Sequence, residues 1–66
     1  MMELKQFYRK KVKIVATNGR VFRGKVSDYV DPEDNEPEEE SIIVDTVDGQ
    51  AVEFYEKDIK EIEVTE

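Results

Sequence analysis

The stretch Thr17-Asn18-Gly19-Arg20-Val21-Phe22-Arg23-Gly24-Lys25-Val26 constrains the fold more than any other part of the chain. Asn-Gly is the strongest short-range hairpin signal, because a tight primed turn needs positive φ at both central residues. The residues behind it read as a strand with a glycine in its middle. Glycine weakens a strand interior unless the chain bends sharply there or another backbone passes close by. A bent strand behind a tight turn is how a small sheet curls on itself. The residues on either side are therefore expected to be strands wrapped around the bend.

The flanking sequence supplies them. Leu4, Phe7 and Tyr8 are spaced i, i+3, i+4, which places them on one face of a single helical turn that would cap the open end of a barrel, the alternative being a frayed lead-in to the first strand. Val12, Ile14 and Ala16 alternate with Lys11 and Lys13, the pattern of a half-buried first strand over 11–16. The second strand is predicted from about Arg20 to Val30, with Phe22, Gly24 and Val26 on one face. Tyr29 breaks that alternation by one position, which points to a bulge near Ser27-Asp28. Ser41 to Val47 is the most β-prone stretch, and its Ile42-Ile43-Val44 run suggests a central strand buried on both sides or one at a barrel seam. Asp48-Gly49 reads as a second hairpin turn, leading to a fourth strand over 50–55. Glu56-Lys57-Asp58 is a polar turn, and Ile59 to Val64 forms a fifth strand. Five short strands with these connections predict an all-β fold, a small, strongly bent five-stranded SH3-like barrel with a short N-terminal helical turn. The first, fourth or fifth strand would leave an edge open to another chain.

Residues 1–66 are read as a single domain, because a chain this short buries only a modest fraction of its surface. There is no cysteine and no histidine. That removes disulfides, nearly every zinc site and the commonest general base. No cofactor, no metal and no enzymatic activity are expected. Self-association is the remaining way to add buried area. No apolar run approaches the roughly 20 residues of a membrane span, and Met1 to Arg9 lacks an apolar signal core. A cytoplasmic protein is the resulting expectation.

Charge is divided along the chain. Residues 1–27 hold eight Lys or Arg against Glu3 alone, whereas residues 28–66 hold sixteen Asp or Glu against Lys57 and Lys60. The two halves either neutralise each other or present a basic surface on an acidic scaffold. The segment Asp31 to Glu40 carries seven acidic residues and two prolines and is predicted to be a mobile, edge-protecting loop. It does not match a calcium loop, whose sixth position is glycine, because Glu36 stands there.

The run Gly19-Arg20-Val21-Phe22-Arg23-Gly24-Lys25-Val26 resembles the first signature of the Sm and LSm family. There a turn glycine precedes a basic residue, an apolar one and a second glycine in the bent second strand. The helical lead-in, Lys11 to Ala16 as the first strand, and the order Phe54, Ile59, Ile62 are similar too. The likeness extends over roughly Leu4 to Val64 and is nearest to the short, acidic, uncharacterised Sm-like proteins of bacteria. It implies a homo-oligomeric ring in which the fourth strand of one subunit pairs with the fifth of the next, and a role in RNA binding or ribonucleoprotein assembly. The family holds bases in the loop after strand two, with Asp, two variable residues and Met-Asn. Asp31 and Asn35 keep that spacing with Asp34 at the methionine, although reaching Asp31 takes one extra residue after Tyr29. It also uses an apolar residue followed by Arg-Gly before strand five, where this chain has Phe54-Tyr55-Glu56.

The residues assigned to RNA contact are Lys10, Lys11, Lys13, Asn35, Tyr55 and Lys57, with Arg9, Arg20, Arg23 and Lys25 adding to the basic half. Those assigned to turns and bend are Asn18, Gly19, Gly24 and Gly49. Glu56 and the acidic loop would repel phosphate where the family's arginine attracts it. The alternative expectation is therefore an oligomerising, protein-binding barrel that does not take RNA.

Overall fold

The computed structural model describes residues 3–35 and 38–66. Its elements are a 3-10 turn at Leu4–Phe7, then β1 (Lys11–Ala16), β2 (Val21–Val30), a 3-10 turn at Pro32–Asp34, β3 (Ser41–Thr46), β4 (Ala51–Tyr55), a 3-10 turn at Glu56–Asp58 and β5 (Ile59–Val64). The strands form one antiparallel sheet in the order β4-β3-β2-β1-β5. The fold is all-β, as expected, but the sheet is open: β4 and β5 lie at its two edges and do not pair with each other. The first strand, one of the three expected to leave an open edge, is interior. Glu36 and Pro37, including the position compared with a calcium loop, lie outside the described residues, as do Met1 and Met2.

Two bulges explain how the apolar residues of the longest strand and of the last one reach one side. Between Val26 and Asp28 the β2–β3 register shifts, so Val26 opposes Val44 and Tyr29 opposes Ile42. Ser27 is the extra residue, and its hydroxyl donates to the Ile43 carbonyl. Between β1 and β5 the shift falls at Lys60, so that Ile59 opposes Ala16 and Ile62 opposes Ile14. In both places an i, i+3 pair faces the core where strict alternation would have turned one member outward. The core joins Val12, Ile14, Val26, Ile42, Val44, Phe54 and Ile59 to Leu4 and Phe7 of the first 3-10 turn. Phe22 closes on Phe54 edge to face, with ring centroids 5.1 Å apart.

Tyr8 departs from the expected helical face. It follows the 3-10 turn and is exposed, because a turn this tight ends before a second row of side chains can form. The chain then passes through Arg9 at φ 68°, an unusual conformation for a residue with a Cβ. The Arg9 amide donates to the Val26 carbonyl and the Val26 amide to the Lys10 carbonyl, so the lead-in is fastened across β2.

The hairpins also differ from the expected primed turns. In the first, the Gly19 amide donates to the Ala16 carbonyl and the Ala16 amide to the Arg20 carbonyl. The loop thus has three residues, with Gly19 alone at positive φ (88°), and Asn18 does not adopt the left-handed conformation. Asn18 instead accepts the Arg20 amide through Oδ1 at 3.0 Å. The second hairpin repeats the design between Thr46 and Gln50, with Gly49 at φ 91°. A three-residue loop ending on a left-handed glycine is the commonest hairpin connection after the two-residue primed turns.

Gly24 is required for closeness. A Cβ there would lie 2.1 Å from the Asp45 carbonyl oxygen and 2.8 Å from the Thr46 Cα. The β3 backbone, paired with β2 at Gly24 and Thr46, comes so close here that there is space only for hydrogen.

Candidate functional site

The sequence-predicted site residues fall into two groups with opposite character. Asn35, Tyr55 and Lys57 come together at an acidic corner where the loop after β2 meets the end of β4. The Asn35 amide nitrogen donates to the Glu39 carbonyl at 2.7 Å and to Ser41 Oγ at 3.0 Å. Ser41 is fully buried, and its hydroxyl donates onward to Glu53 Oε2 at 2.8 Å. Lys57 Nζ sits 3.6 Å from Glu39 Oε2 and 5.7 Å from the centre of the Tyr55 ring. The Tyr55 amide donates to Asp58 Oδ2, closing the turn before β5.

Glu40 ties this corner to the N-terminal lead-in. One carboxylate oxygen accepts the Leu4 amide at 2.9 Å and the other accepts the Tyr29 hydroxyl at 2.8 Å. The phenol is pushed up from its ordinary 10.0 to about 12. The hydrogen bond to Glu40 is the main cause, followed by burial and the negative charges of Glu40, Asp31 and Glu3. The acidic loop is therefore anchored at Asn35, Glu39 and Glu40 and includes a 3-10 turn over Pro32–Asp34.

This arrangement limits what the corner can do. Both amide hydrogens of Asn35 are committed, the Lys57 ammonium has a carboxylate beside it, and Tyr55 has a cation over its ring. A base would have to displace these contacts while entering a field of carboxylates. Among the described residues, no group of three or more Asp or Glu could hold a metal ion.

Lys11 and Lys13 stand elsewhere, on the outer face of β1. In the register Lys11 opposes Lys25, and Lys13 opposes Arg23 on β2. These are two consecutive like-charge pairs directly across strands, an arrangement that destabilises a sheet. Carboxylates flank them in the same rows, Asp45 opposite Lys25 and Glu63 opposite Lys13. Even so, among the described residues no carboxylate lies within ion-pair distance of these four cations. A shallow depression of about 380 Å³ lies between Lys11, Arg23, Lys25, Asp45 and Val47. Lys10 joins neither group. It belongs to the connection before β1, with its backbone bonded to Phe7 and Val26 and its side chain exposed.

Sequence reasoning missed Ser41, Glu53, Glu40 and Tyr29 as members of the corner. Their bonds span 6 to 36 positions and follow no motif, so no local spacing signals them. The pairing of Arg23 and Lys25 with β1 was within reach, because a hairpin centred on Gly19 sets that register. Comparison with family models, with curated proteins and with solved structures finds no match for this chain. Among the described residues, no helix is long and apolar enough to cross a membrane.

Proposed function

We propose that this chain is a self-assembling, Sm-like β-module whose role is protein assembly, with its loop pocket not used for RNA. The observation that carries this reading is the pair of free edges. One open sheet ends in β4 on one side and β5 on the other, so β5 of one copy can extend the sheet of the next through its β4. Such a head-to-tail contact builds a ring when the rotation closes and a filament when it does not. The small core supports the same reading, since 66 residues gain much from area buried against a neighbour. The bulged β2, the close approach of β3 to Gly24 and the helical cap are in keeping with a strongly bent, barrel-like sheet of the Sm kind. Base contacts through Asn35, Tyr55 and Lys57 are disfavoured by the internal bonds each already makes.

The test exploits the absence of cysteine. Ala51→Cys and Glu61→Cys variants place one thiol on the outer face of each edge strand. Mixed and oxidised, they are expected to give a disulfide-linked heterodimer, with light scattering showing an oligomer of the parent protein. A monomer at high micromolar concentration, together with no cross-link in the mixture, overturns the proposal. An oligomer whose two thiols never join would mean that the copies meet elsewhere.

A further inference from the structure

We propose that the outer face of β1 and β2, built on Lys11, Lys13, Arg23 and Lys25, is a docking surface for an extended acidic peptide segment of a partner protein. The site is separate from the β4 and β5 edges, so it stands whether or not the chain assembles through them.

Charge is the first argument. Cross-strand pairing sets Lys11 against Lys25 and Lys13 against Arg23, two strained pairs in adjacent rows. The chain contains more than enough carboxylate to neutralise them, with a net charge of −7. Yet the carboxylates nearest in register, Asp45 and Glu63, lie beyond ion-pair distance. An incoming carboxylate between two such cations would relieve their repulsion and gain charge-assisted hydrogen bonds, with Arg23 offering a bidentate fork.

Shape is the second. Asp45 on β3 and Glu63 on β5 bracket the cations, so the positive strip is only two strands wide. An anionic ligand is thereby confined to run along β1 and β2. Residues two apart on a strand face the same way and are spaced about 6.6 Å, the repeat of alternate side chains in an extended peptide.

Apolar composition is the third, and it selects the class of ligand. Val21 and Val47 border the strip and are 52 % and 83 % exposed, while Val15 opposes Val21 from β1. The aromatic rings nearest this face are already engaged: Phe22, half-buried against Phe54 with Arg20 over its ring, shares a depression with Val21, Arg23 and Val47, and the buried Phe7 shares one with Lys13 and Val15. Phe22 and Phe54 pack together towards the core, Tyr29 is bonded to Glu40, and Tyr55 lies beside Lys57 at the far end of β4. Single-stranded nucleic acid is held by cations together with aromatic platforms on which bases stack. Cations interleaved with exposed valines suit acidic and aliphatic side chains instead.

The experiment is fluorescence anisotropy on the full chain. The probes are a labelled peptide of alternating glutamate and valine, its glutamine-valine counterpart, and single-stranded uridine-rich and adenine-rich RNA of matched charge. The acidic peptide is expected to bind at low salt and to weaken as salt rises. The neutral peptide should not bind. The Lys13→Glu/Arg23→Glu variant should lower affinity by about tenfold or more, and so should Lys13→Thr/Arg23→Thr, which keeps strand-favouring side chains where reversal might disturb folding. Four results would each overturn the proposal: no binding of the acidic peptide at low salt, equal affinity of the two peptides, affinity unchanged in the folded threonine variant, or tighter binding of either RNA. Loss of self-association on adding the peptide would overturn the assignment to a separate partner, because the strip would then hold the acidic loop of a second copy.

Discussion

The acidic corner and the basic strand face treat charge in opposite ways. At the corner, each anchoring group has found a neighbour: Glu40 accepts from Leu4 and Tyr29, Glu53 from Ser41, and Glu39 has Lys57 beside it. On the strand face, four cations are held in like-charge pairs with carboxylates near in register and out of reach. The corner is built to hold the loop on the sheet. The strand face keeps like charges opposite one another, exposed to solvent, with the Glu66 carboxylate on the Lys11 backbone amide rather than on a side-chain cation. Residues whose interactions are complete within the fold contribute stability, and residues left in unfavourable proximity are available for binding.

That contrast can be broken in graded ways. The largest effect belongs to the platform under the basic face. Gly24→Val forces side-chain atoms into the β3 backbone at Asp45 and is expected to cost more than about 3 kcal/mol, enough to unfold a small domain. Urea denaturation monitored by circular dichroism checks this, and a variant as stable as the parent would refute the close-passage account.

Next is Ser41→Ala at the corner. It removes a buried hydroxyl that bridges Asn35 and Glu53, leaving both with an unmet partner, and should cost roughly 1–3 kcal/mol in the same assay. A neutral result would mean that water serves those groups equally well, and the corner would lose its role as an anchor.

Tyr29→Phe is expected to cost about 1 kcal/mol by removing the bond to Glu40. It also carries a pH signature. The folded-state pKa is raised above 10.0, so the native state favours the neutral phenol. This contribution is fully present below pH 10.0 and is lost as pH rises towards about 12. Thermal melts across that range should show a steeper decline for the parent than for Tyr29→Phe. Parallel declines would detach the shift from the bond.

The smallest effect, with the opposite sign, belongs to the basic face. Lys13→Thr/Arg23→Thr removes one like-charge pair and should leave stability unchanged or raise it by a few tenths of a kcal/mol. Clear destabilisation would show that these cations already have structural partners, and the contrast between the two regions would disappear.

The strands and their faces were largely legible from local pattern. Val12, Ile14 and Ala16 alternate with cations, so β1 was bounded at its observed ends. Tyr29 out of phase with Val26 marked the bulge at Ser27. The turns were located but their geometry was not, because Asn-Gly permits a primed turn without requiring it. The flanking bonds to Ala16 and Arg20 favour three residues instead. Tyr8 was misplaced because i, i+4 spacing assumes a helix longer than the four residues that form. The site was legible only in part. Asn35, Tyr55 and Lys57 do meet, yet the contacts that occupy them come from Ser41 and Glu39, which carry no motif.

Composition and alternation determine that this chain forms short strands around one apolar side, that glycine stands at the turns and inside the second strand, and that charge is divided between its halves. Those are local matters, governed by the period of a strand and by the conformations open to glycine. Only the tertiary structure decides which strands are left as edges, which carboxylates reach a partner, and which cations stay in unrelieved pairs. Those outcomes depend on register and on side chains brought together from distant positions, and an exposed lysine carries the same local signal whether its neighbour across the sheet is an acid or another lysine.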